Sequence, residues 1–234
     1  IHLTGSATNT LSTINFADSS KEDSHPSAVS ATVDPLVPLA LLEAVRTVDL
    51  PDEELETEFV EELRIKRFGL SDTVHAQIRR YHEAVKRGQR ATEDEAAGIA
   101  RLIGRRPDAE AVFREAGRNI ARRTYARVSA PVKRLTHLMP ALLARPLALS
   151  QIRNVGTRYL NGDVRRVGAS IHLEVKSSVT LDAAPKQAGC TFYEAALREL
   201  MQQLVDGVGA VEHVRCASRG EGSCEWRAQW GAAR

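Results

Sequence analysis

The sequence predicts an α+β protein, in which a helical N-terminal half is followed by an antiparallel sheet with one further helix packed on it. Apolar residues repeat with a helical period over most of residues 71–162, and after them Ile171, Leu173 and Val175 alternate as in a strand. Helices grouped first and strands grouped later favour α+β over alternating βαβ units. A chain of 234 residues, 43% of them hydrophobic, suits one globular domain with an appendage.

Residues 1–34 are predicted to form an extended tail. Ser and Thr make up 12 of these 34 residues, and neither the helical nor the strand period holds. Such a segment buries too little apolar surface to offset its chain entropy. We therefore expect the tail to become ordered by lying on a surface, either that of its own domain or that of a partner protein.

Residues 35–70 are predicted to form a helical extension of two short helices, "PLVPLALLEAV" and "PDEELETEFVEEL". The second begins at Pro51 with acids in its first turn, which suits a helix N-terminus. Its apolar residues fall on one face. We expect this pair of helices either to cap the domain or to bind a neighbour.

The domain proper, residues 71–234, begins with five predicted helices. Ser71 caps the first, which ends at Gly88, and Thr92 with Glu95 forms a capping box for the second. Pro140 is expected to kink or end the fourth. The five segments are 71–88, 92–104, 108–128, 130–144 and 150–162.

Strands and one more helix complete the chain. "ASIHLEVKSSVTL" is a predicted strand, "CTFYEAALRELMQQLVDG" an amphipathic helix, and "GAVEHVRCAS" and "SCEWRAQW" are two strands joined by "RGEG". The last two strands form a predicted hairpin that carries two of the three cysteines.

The cysteines point to one site. If the hairpin turn centres on Gly220, Cys216 and Cys224 lie opposite each other, with Cβ atoms about 4.5–5.5 Å apart. That spacing suits two thiolates on one Zn²⁺, and it also allows a strained disulfide. Cys190 opens the preceding helix, where free N–H groups favour a thiolate. If that helix packs on the sheet, Cys190 reaches the same point.

A closed tetrahedral zinc site needs a fourth ligand. Strict alternation along the strand puts Glu212 on the same face as Cys216 and His213 on the opposite face. A bulge between 213 and 216 would bring His213 round. The residues alone do not decide whether Glu212 or His213 is the fourth ligand. They also do not decide whether the thiols hold a metal, stay free or form a disulfide.

This arrangement resembles the 4-vinyl-reductase domain family, which includes sensor domains of aromatic-responsive bacterial activators and proteins associated with bacteriochlorophyll synthesis. Its members carry a Cys at a helix start, an acid three residues before a second Cys, a Gly-containing turn, and a third Cys eight residues on. Here Cys216 follows Cys190 by 26 residues and precedes Cys224 by 8. The outline runs from about Ala109 to Trp230, about half of the chain, and includes "AEAVFREAGRNIARRTY", "LNGDVRRVG" and "GCTFYEAALREL".

One position departs from the family pattern, because His213 stands where sensor-type members have Glu. Histidine is an equally good zinc ligand, so the resemblance implies a Cys₃His site made of Cys190, His213, Cys216 and Cys224. Four protein ligands, three of them thiolates, would fill the zinc coordination shell. The expected role of the metal is therefore structural.

The sequence contains no Rossmann fingerprint, P-loop or Gly-x-Ser-x-Gly motif, so we predict no catalytic residues, and a vinyl reductase is the least favoured function. The leading expectation is an interaction or accessory subunit, bound to a larger assembly through its tail. The resemblance suggests a bacterial photosynthetic, bacteriochlorophyll-containing complex as the host. The alternative is a sensor or carrier of a hydrophobic aromatic or tetrapyrrole ligand, with Tyr125, Tyr159, Phe192 and Tyr193 lining a pocket rather than filling the core.

Charge and cysteine content limit the expected cellular location of the protein. The net charge of +2, from 32 basic and 30 acidic residues, gives no global attraction to nucleic acid or anionic membranes. Paired arginines along the chain indicate solvated helix faces or a basic face that docks on an acidic partner. No apolar run approaches the roughly 18 residues of a membrane span, and three cysteines argue against a disulfide scaffold. We expect a cytoplasmic protein. A further expectation is that it binds a membrane-protein partner at the cytoplasmic face of a membrane complex.

Overall fold

A computed structural model gives the fold and describes residues 31–50, 68–138, 141–183, 187–205 and 208–230. In these residues, helices and antiparallel sheets combine into an α+β fold, as predicted. The helices are α1 (Leu36–Asp49), α2 (Asp72–Arg87), α3 (Glu93–Gly104), α4 (Ala109–Ala126), α5 (Ala130–Leu138), α6 (Ala141–Tyr159) and α7 (Cys190–Val205). The strands are β1 (Thr32–Val33), β2 (Ala91–Thr92), β3 (Asp163–Val167), β4 (Ser170–Val175), β5 (Val208–Arg215) and β6 (Cys224–Trp230), with short 3₁₀ helices at Phe68–Leu70 and Ala217–Arg219.

The N-terminal elements join the main core. Strand β1 pairs antiparallel with β2, and α1 buries Leu36, Leu39 and Leu41 completely. Helix α1 runs four residues further than the predicted segment, because Val48 also packs against the core and Asp49 is buried at its end. Residues 1–30 of the predicted tail and the predicted helix at 51–63 lie outside the described residues.

Ser71 and Thr92 are confirmed as the caps of α2 and α3, but only the Thr92 half of the predicted capping box forms. The Ser71 hydroxyl accepts the Val74 N–H at 3.4 Å, and Gly88 ends α2 in the left-handed conformation with φ 66°. The Thr92 hydroxyl accepts the Glu95 N–H at 3.3 Å. The Glu95 carboxylate pairs with Arg80 at 2.7 Å, so its side chain ties α3 to α2.

The sequence predicted two separate helices over 130–144 and 150–162, with no helix between them, and this prediction is wrong. Helix α6 is continuous through Pro146, which lies in its second turn. A proline there costs one backbone hydrogen bond near the helix start. Burial of Ala148, Leu149 and Ile152 farther along α6 stabilises the helix despite that loss.

The four-stranded sheet has the order β3-β4-β6-β5, all antiparallel. Strand β4 is shorter than the predicted 169–181, because its pairing with β6 ends at Val175. The sequence analysis missed β3, an edge strand on which only Val164 is buried, so its alternation is hidden by charged residues.

Helix α7 links the sheet to the helices. It packs on the sheet through β5 and β6 and on α4 through its other side. At the crossing with α4, a Cβ on Gly117 would lie 2.1 Å from the Phe192 carbonyl oxygen, so only glycine permits this approach. This packing sets the start of α7 against the β5–β6 hairpin.

Candidate metal centre

The four predicted site residues come together in the structure. One ligand atom each from Cys190, His213, Cys216 and Cys224 lies within 4.8 Å of the other three. The three cysteines are buried and free of disulfides. The cluster joins the first residue of α7 to both strands of the hairpin and is positioned to hold a metal ion.

Cys190 is delivered by the tight loop before α7. Its sulfur lies 4.0 Å from that of Cys224, so the predicted approach of the helix start to the hairpin is confirmed. The preceding Gly189 leaves no room for a side chain, because a Cβ there would lie 1.9 Å from the Thr180 carbonyl oxygen. This close contact fixes the direction in which α7 begins.

The hairpin brings Cys216 and Cys224 together as the turn predicts. Arg215 pairs with Glu225, and the next residues on each strand are the two cysteines, with their sulfurs 4.0 Å apart. The turn passes through the 3₁₀ helix and then Gly220 at φ 83°, a left-handed conformation that favours glycine.

A bulge settles which residue completes the cluster. His213 pairs with Trp226 but Arg215 pairs with Glu225, so β5 holds one extra residue, Val214, between these pairs. The bulge turns His213 towards the sulfurs. Glu212 lies on the exposed face, where its carboxylate accepts from Arg227 at 2.5 Å.

The His213 ring is held flat and has a nitrogen free for a ligand. It stacks on Trp226, with ring centroids 4.7 Å apart and planes 8° apart. Its Nε2 is buried and has no hydrogen-bond partner among the described residues. Burial, followed by the charge of Arg219, lowers the pKa of His213, and a hydrogen bond with the Arg215 backbone opposes this shift in part. A neutral imidazole with one nitrogen on the backbone presents the other to a metal.

The three thiols differ in their electrostatics. Burial raises the pKa of Cys190, reinforced by the sulfurs of Cys224 and Cys216, so the helix start does not lower this pKa as expected. Burial also raises the pKa of Cys224, although the Ala217 N–H opposes the shift. At Cys216, hydrogen bonds from the Ser218 side chain and backbone, together with contacts to the other two sulfurs, outweigh burial and lower the pKa. The Ser218 hydroxyl lies 3.0 Å from the Cys216 sulfur, and the Ala217 N–H donates to the Cys224 sulfur at 3.3 Å. Donors aimed at sulfur favour thiolates, the form that binds metals.

The donor set fits a tetrahedral metal site. Zn–S bonds near 2.3 Å place two thiolates of one tetrahedron about 3.8 Å apart, and two pairs of sulfurs here are 4.0 Å apart. The orphaned Nε2 of His213 supplies a fourth donor at the same point. The cluster therefore has the donors, the spacing and the buried unsatisfied nitrogen of a site that a metal ion completes.

Two aromatic residues behind the cluster, Trp226 and Tyr193, were not predicted to lie at the site. Trp226 is fully buried between His213 and Tyr193, whose ring centroid lies 4.7 Å from its own. The Tyr193 hydroxyl hydrogen-bonds with Thr180 at 2.8 Å and with Ser178. Strand register would have predicted the pairing of Trp226 with His213 if the position of the bulge had been known.

The predicted pocket residues divide between core and cavity. Phe192 and Tyr193 are core residues, 1% exposed. A cavity of about 180 Å³ is lined by parts of both, with Tyr159, Arg158, Asp34 and Thr180. This volume lies below the roughly 300 Å³ at which pockets for drug-sized ligands begin.

No protein-family profile and no curated protein sequence matches the chain. Within the described residues, no helix is long and apolar enough to cross a membrane.

Proposed function

We propose that Cys190, His213, Cys216 and Cys224 bind Zn²⁺ and that the ion clamps helix α7 to the β5–β6 hairpin. The observation that carries the proposal is the convergence of four protein donor atoms within 4.8 Å at a buried point. Zinc has no geometric preference that conflicts with three thiolates and one imidazole, and such donor sets are typical of its structural sites.

A structural role follows from the donor count. A catalytic zinc keeps one position open for water or substrate, whereas four protein donors close the shell. The sulfurs of Cys216 and Cys224 belong to residues at most 1% exposed, so the site offers no approach to a substrate. The energy of metal binding then stabilises the fold, because the donors converge only in the folded chain.

The domain as a whole is best explained as a non-catalytic interaction or accessory subunit of a larger assembly. Support comes from the closed metal site and from the resemblance of the cysteine spacing to the 4-vinyl-reductase family. A bacteriochlorophyll-containing photosynthetic complex remains a proposal that rests on this resemblance alone. Attachment through residues 1–34 is the corresponding proposal for how the subunit binds.

A small-molecule sensor or carrier is the second candidate, and the cavity beside Tyr193 favours it. Its lining includes the polar Asp34 and Arg158 beside the apolar Val33 and Phe192. The volume of about 180 Å³ lies below the roughly 300 Å³ at which pockets for drug-sized ligands begin. A small polar aromatic compound therefore suits it better than a tetrapyrrole.

The accessory role is tested by the size of the particle that contains the chain in extracts of its native cells. The full chain is expected in a high-mass fraction by gel filtration, and a variant lacking residues 1–30, which keeps β1 and Asp34, is expected in the fraction of the free domain. Both should retain zinc. Turnover of a vinyl-bearing tetrapyrrole with a nicotinamide donor, or a full chain that migrates alone, would contradict the proposal.

A further inference from the structure

The cavity beside Tyr193 has a wall of buried hydroxyl groups. Thr180 and Tyr193 both line it, and each is 1% exposed. The Thr180 hydroxyl lies 2.8 Å from that of Tyr193 and 3.2 Å from that of Ser178, and the hydroxyls of Ser178 and Tyr193 are also hydrogen-bonded. Three hydroxyl groups therefore contact one another at one side of the cavity.

One of these three hydroxyl hydrogens has no acceptor among the described residues. The Ser178 oxygen accepts the backbone N–H groups of Thr180 at 3.3 Å and of Leu181 at 3.4 Å, which occupy both of its lone pairs. The Ser178 hydroxyl therefore donates to Thr180 or Tyr193, and those two hydroxyls share one further bond. The remaining hydrogen belongs to Thr180 or to Tyr193. A ligand oxygen at this wall would satisfy that buried donor.

Apolar side chains form another part of the lining. Val33, Val37 and Phe192 line the cavity, and Val37 and Phe192 are buried. A ligand that fills the cavity therefore needs an apolar body between its polar groups. The volume of about 180 Å³ favours a body no larger than one small ring or a short aliphatic chain.

Two charged side chains at the cavity have no partner of opposite charge within the described part of the chain. Arg90 donates from Nε to the Thr32 hydroxyl at 3.3 Å and from Nη2 to the Thr32 carbonyl at 3.0 Å, so its described contacts are with neutral groups. The Glu93 carboxylate makes no described hydrogen bond or ion pair. Both residues line the cavity and are exposed. Asp34 and Arg158, which also line it, already pair with each other at 3.1 Å.

We propose that this cavity binds an α-amino acid whose side chain is an aromatic ring with a hydroxyl group, as in L-tyrosine. The carboxylate of the ligand would accept from Arg90, and its ammonium group would donate to Glu93. The ring would pack on Phe192, and the hydroxyl oxygen would accept from Thr180 or Tyr193. A simple anion would leave Glu93 unpaired, and a simple cation or a neutral aromatic compound would leave Arg90 unpaired. The inference rests on the sensor or carrier function and names the class of its ligand.

Isothermal titration calorimetry of the full chain tests this with L-tyrosine and three analogues. Tyrosinamide lacks the carboxylate, 3-(4-hydroxyphenyl)propionate lacks the ammonium group, and phenylalanine lacks the hydroxyl. L-Tyrosine is expected to bind, and each analogue should bind about tenfold more weakly, because each loses one hydrogen bond to a charged or buried group.

Two variants assign the charges. Arg90→Met should weaken the binding of tyrosine about tenfold but leave that of tyrosinamide unchanged. Glu93→Gln should weaken the binding of tyrosine about tenfold but leave that of 3-(4-hydroxyphenyl)propionate unchanged. In each case the retained analogue shows that the cavity is still folded.

The matched controls remove the same charges from α3 outside the cavity. Arg101 and Asp94 are exposed and do not line it. Arg101→Met and Asp94→Asn should therefore change the affinity for tyrosine less than about twofold, because solvent screens exposed charges that do not touch the ligand.

Several results would overturn the inference, namely no binding of tyrosine, equal affinities for tyrosine and its analogues, or equal losses in the control variants. Phenol that binds as tightly as tyrosine would also overturn it but would leave the sensor or carrier function standing. The metal content of the same samples is independent of these outcomes, so the inference can fail while the zinc proposal stands.

Discussion

The helical half and the sheet half of the molecule share one apolar core but differ in the polar contact that is added to it. In the helical half, the ion pair of Asp49 with Arg106 secures the end of α1. The contact of α7 with the β5–β6 hairpin instead carries three thiols and an imidazole at its centre. Apolar packing tolerates gradual change, whereas a metal centre is lost when one donor is lost. The two halves should therefore respond differently to substitution.

The largest effect is expected from Cys224→Ser. Loss of one of four donors should release the metal and lower the free energy of unfolding by more than about 4 kcal/mol. Chemical denaturation together with metal analysis measures both changes. Ser218→Ala is the matched control, since it removes a hydrogen bond to Cys216 but no donor, and it should keep the metal. Equal stability of Cys224→Ser and the wild type would contradict the proposed structural role of the metal.

Gly117→Ala tests the close packing of α4, in the helical half, against α7, in the sheet half. Its Cβ would meet the Phe192 carbonyl oxygen at 2.1 Å, so α4 and α7 would have to separate, at a cost of about 3 kcal/mol. Gly98→Ala in α3 has open space around its Cβ and should stabilise by about 0.5–1 kcal/mol. Thermal unfolding of both variants gives the comparison. A harmless Gly117→Ala would mean that α7 does not pack on α4 this closely.

Asp49→Asn should affect the helical half alone. The Asp49 carboxylate accepts the Gly69 N–H at 2.8 Å and pairs with Arg106, and loss of its charge should cost about 2 kcal/mol. Hydrogen exchange should rise in α1 while the metal content stays unchanged. Release of metal by this substitution would show that the two halves are not independent.

The smallest effect is a pH dependence of protein stripped of metal by a chelator. Burial lowers the pKa of His213 in the folded protein, so the unfolded chain binds that proton more readily. Stability should therefore fall, by up to about 1 kcal/mol, as the pH drops below the ordinary histidine pKa of about 6.5. His213→Gln should remove this component of the pH dependence, measured by urea denaturation at several pH values. An unchanged pH profile in that variant would contradict the burial of a neutral imidazole.

Local signals in the sequence predicted the parts of the site whose geometry follows from residue spacing along one helix or one hairpin. The helix start at Cys190 and the opposed pair of Cys216 and Cys224 follow from capping, period and turn position, and the structure confirms them. The choice of His213 over Glu212 depended on a bulge at Val214, which no residue pattern marks.

Tertiary packing decided what the sequence analysis missed. The continuous α6 through Pro146 and the charged edge strand β3 both run against local propensity, and each depends on neighbours distant in sequence. The Trp226 contact with Tyr193 likewise requires knowing that α7 crosses the hairpin at that level.

X-ray absorption at the zinc edge of the purified full chain, with metal analysis, tests the central claim most directly. We expect about one zinc per chain, with three sulfur ligands near 2.3 Å and one nitrogen ligand near 2.0 Å. A chain purified under reducing conditions without zinc, or with Cys216 and Cys224 joined in a disulfide, would contradict it.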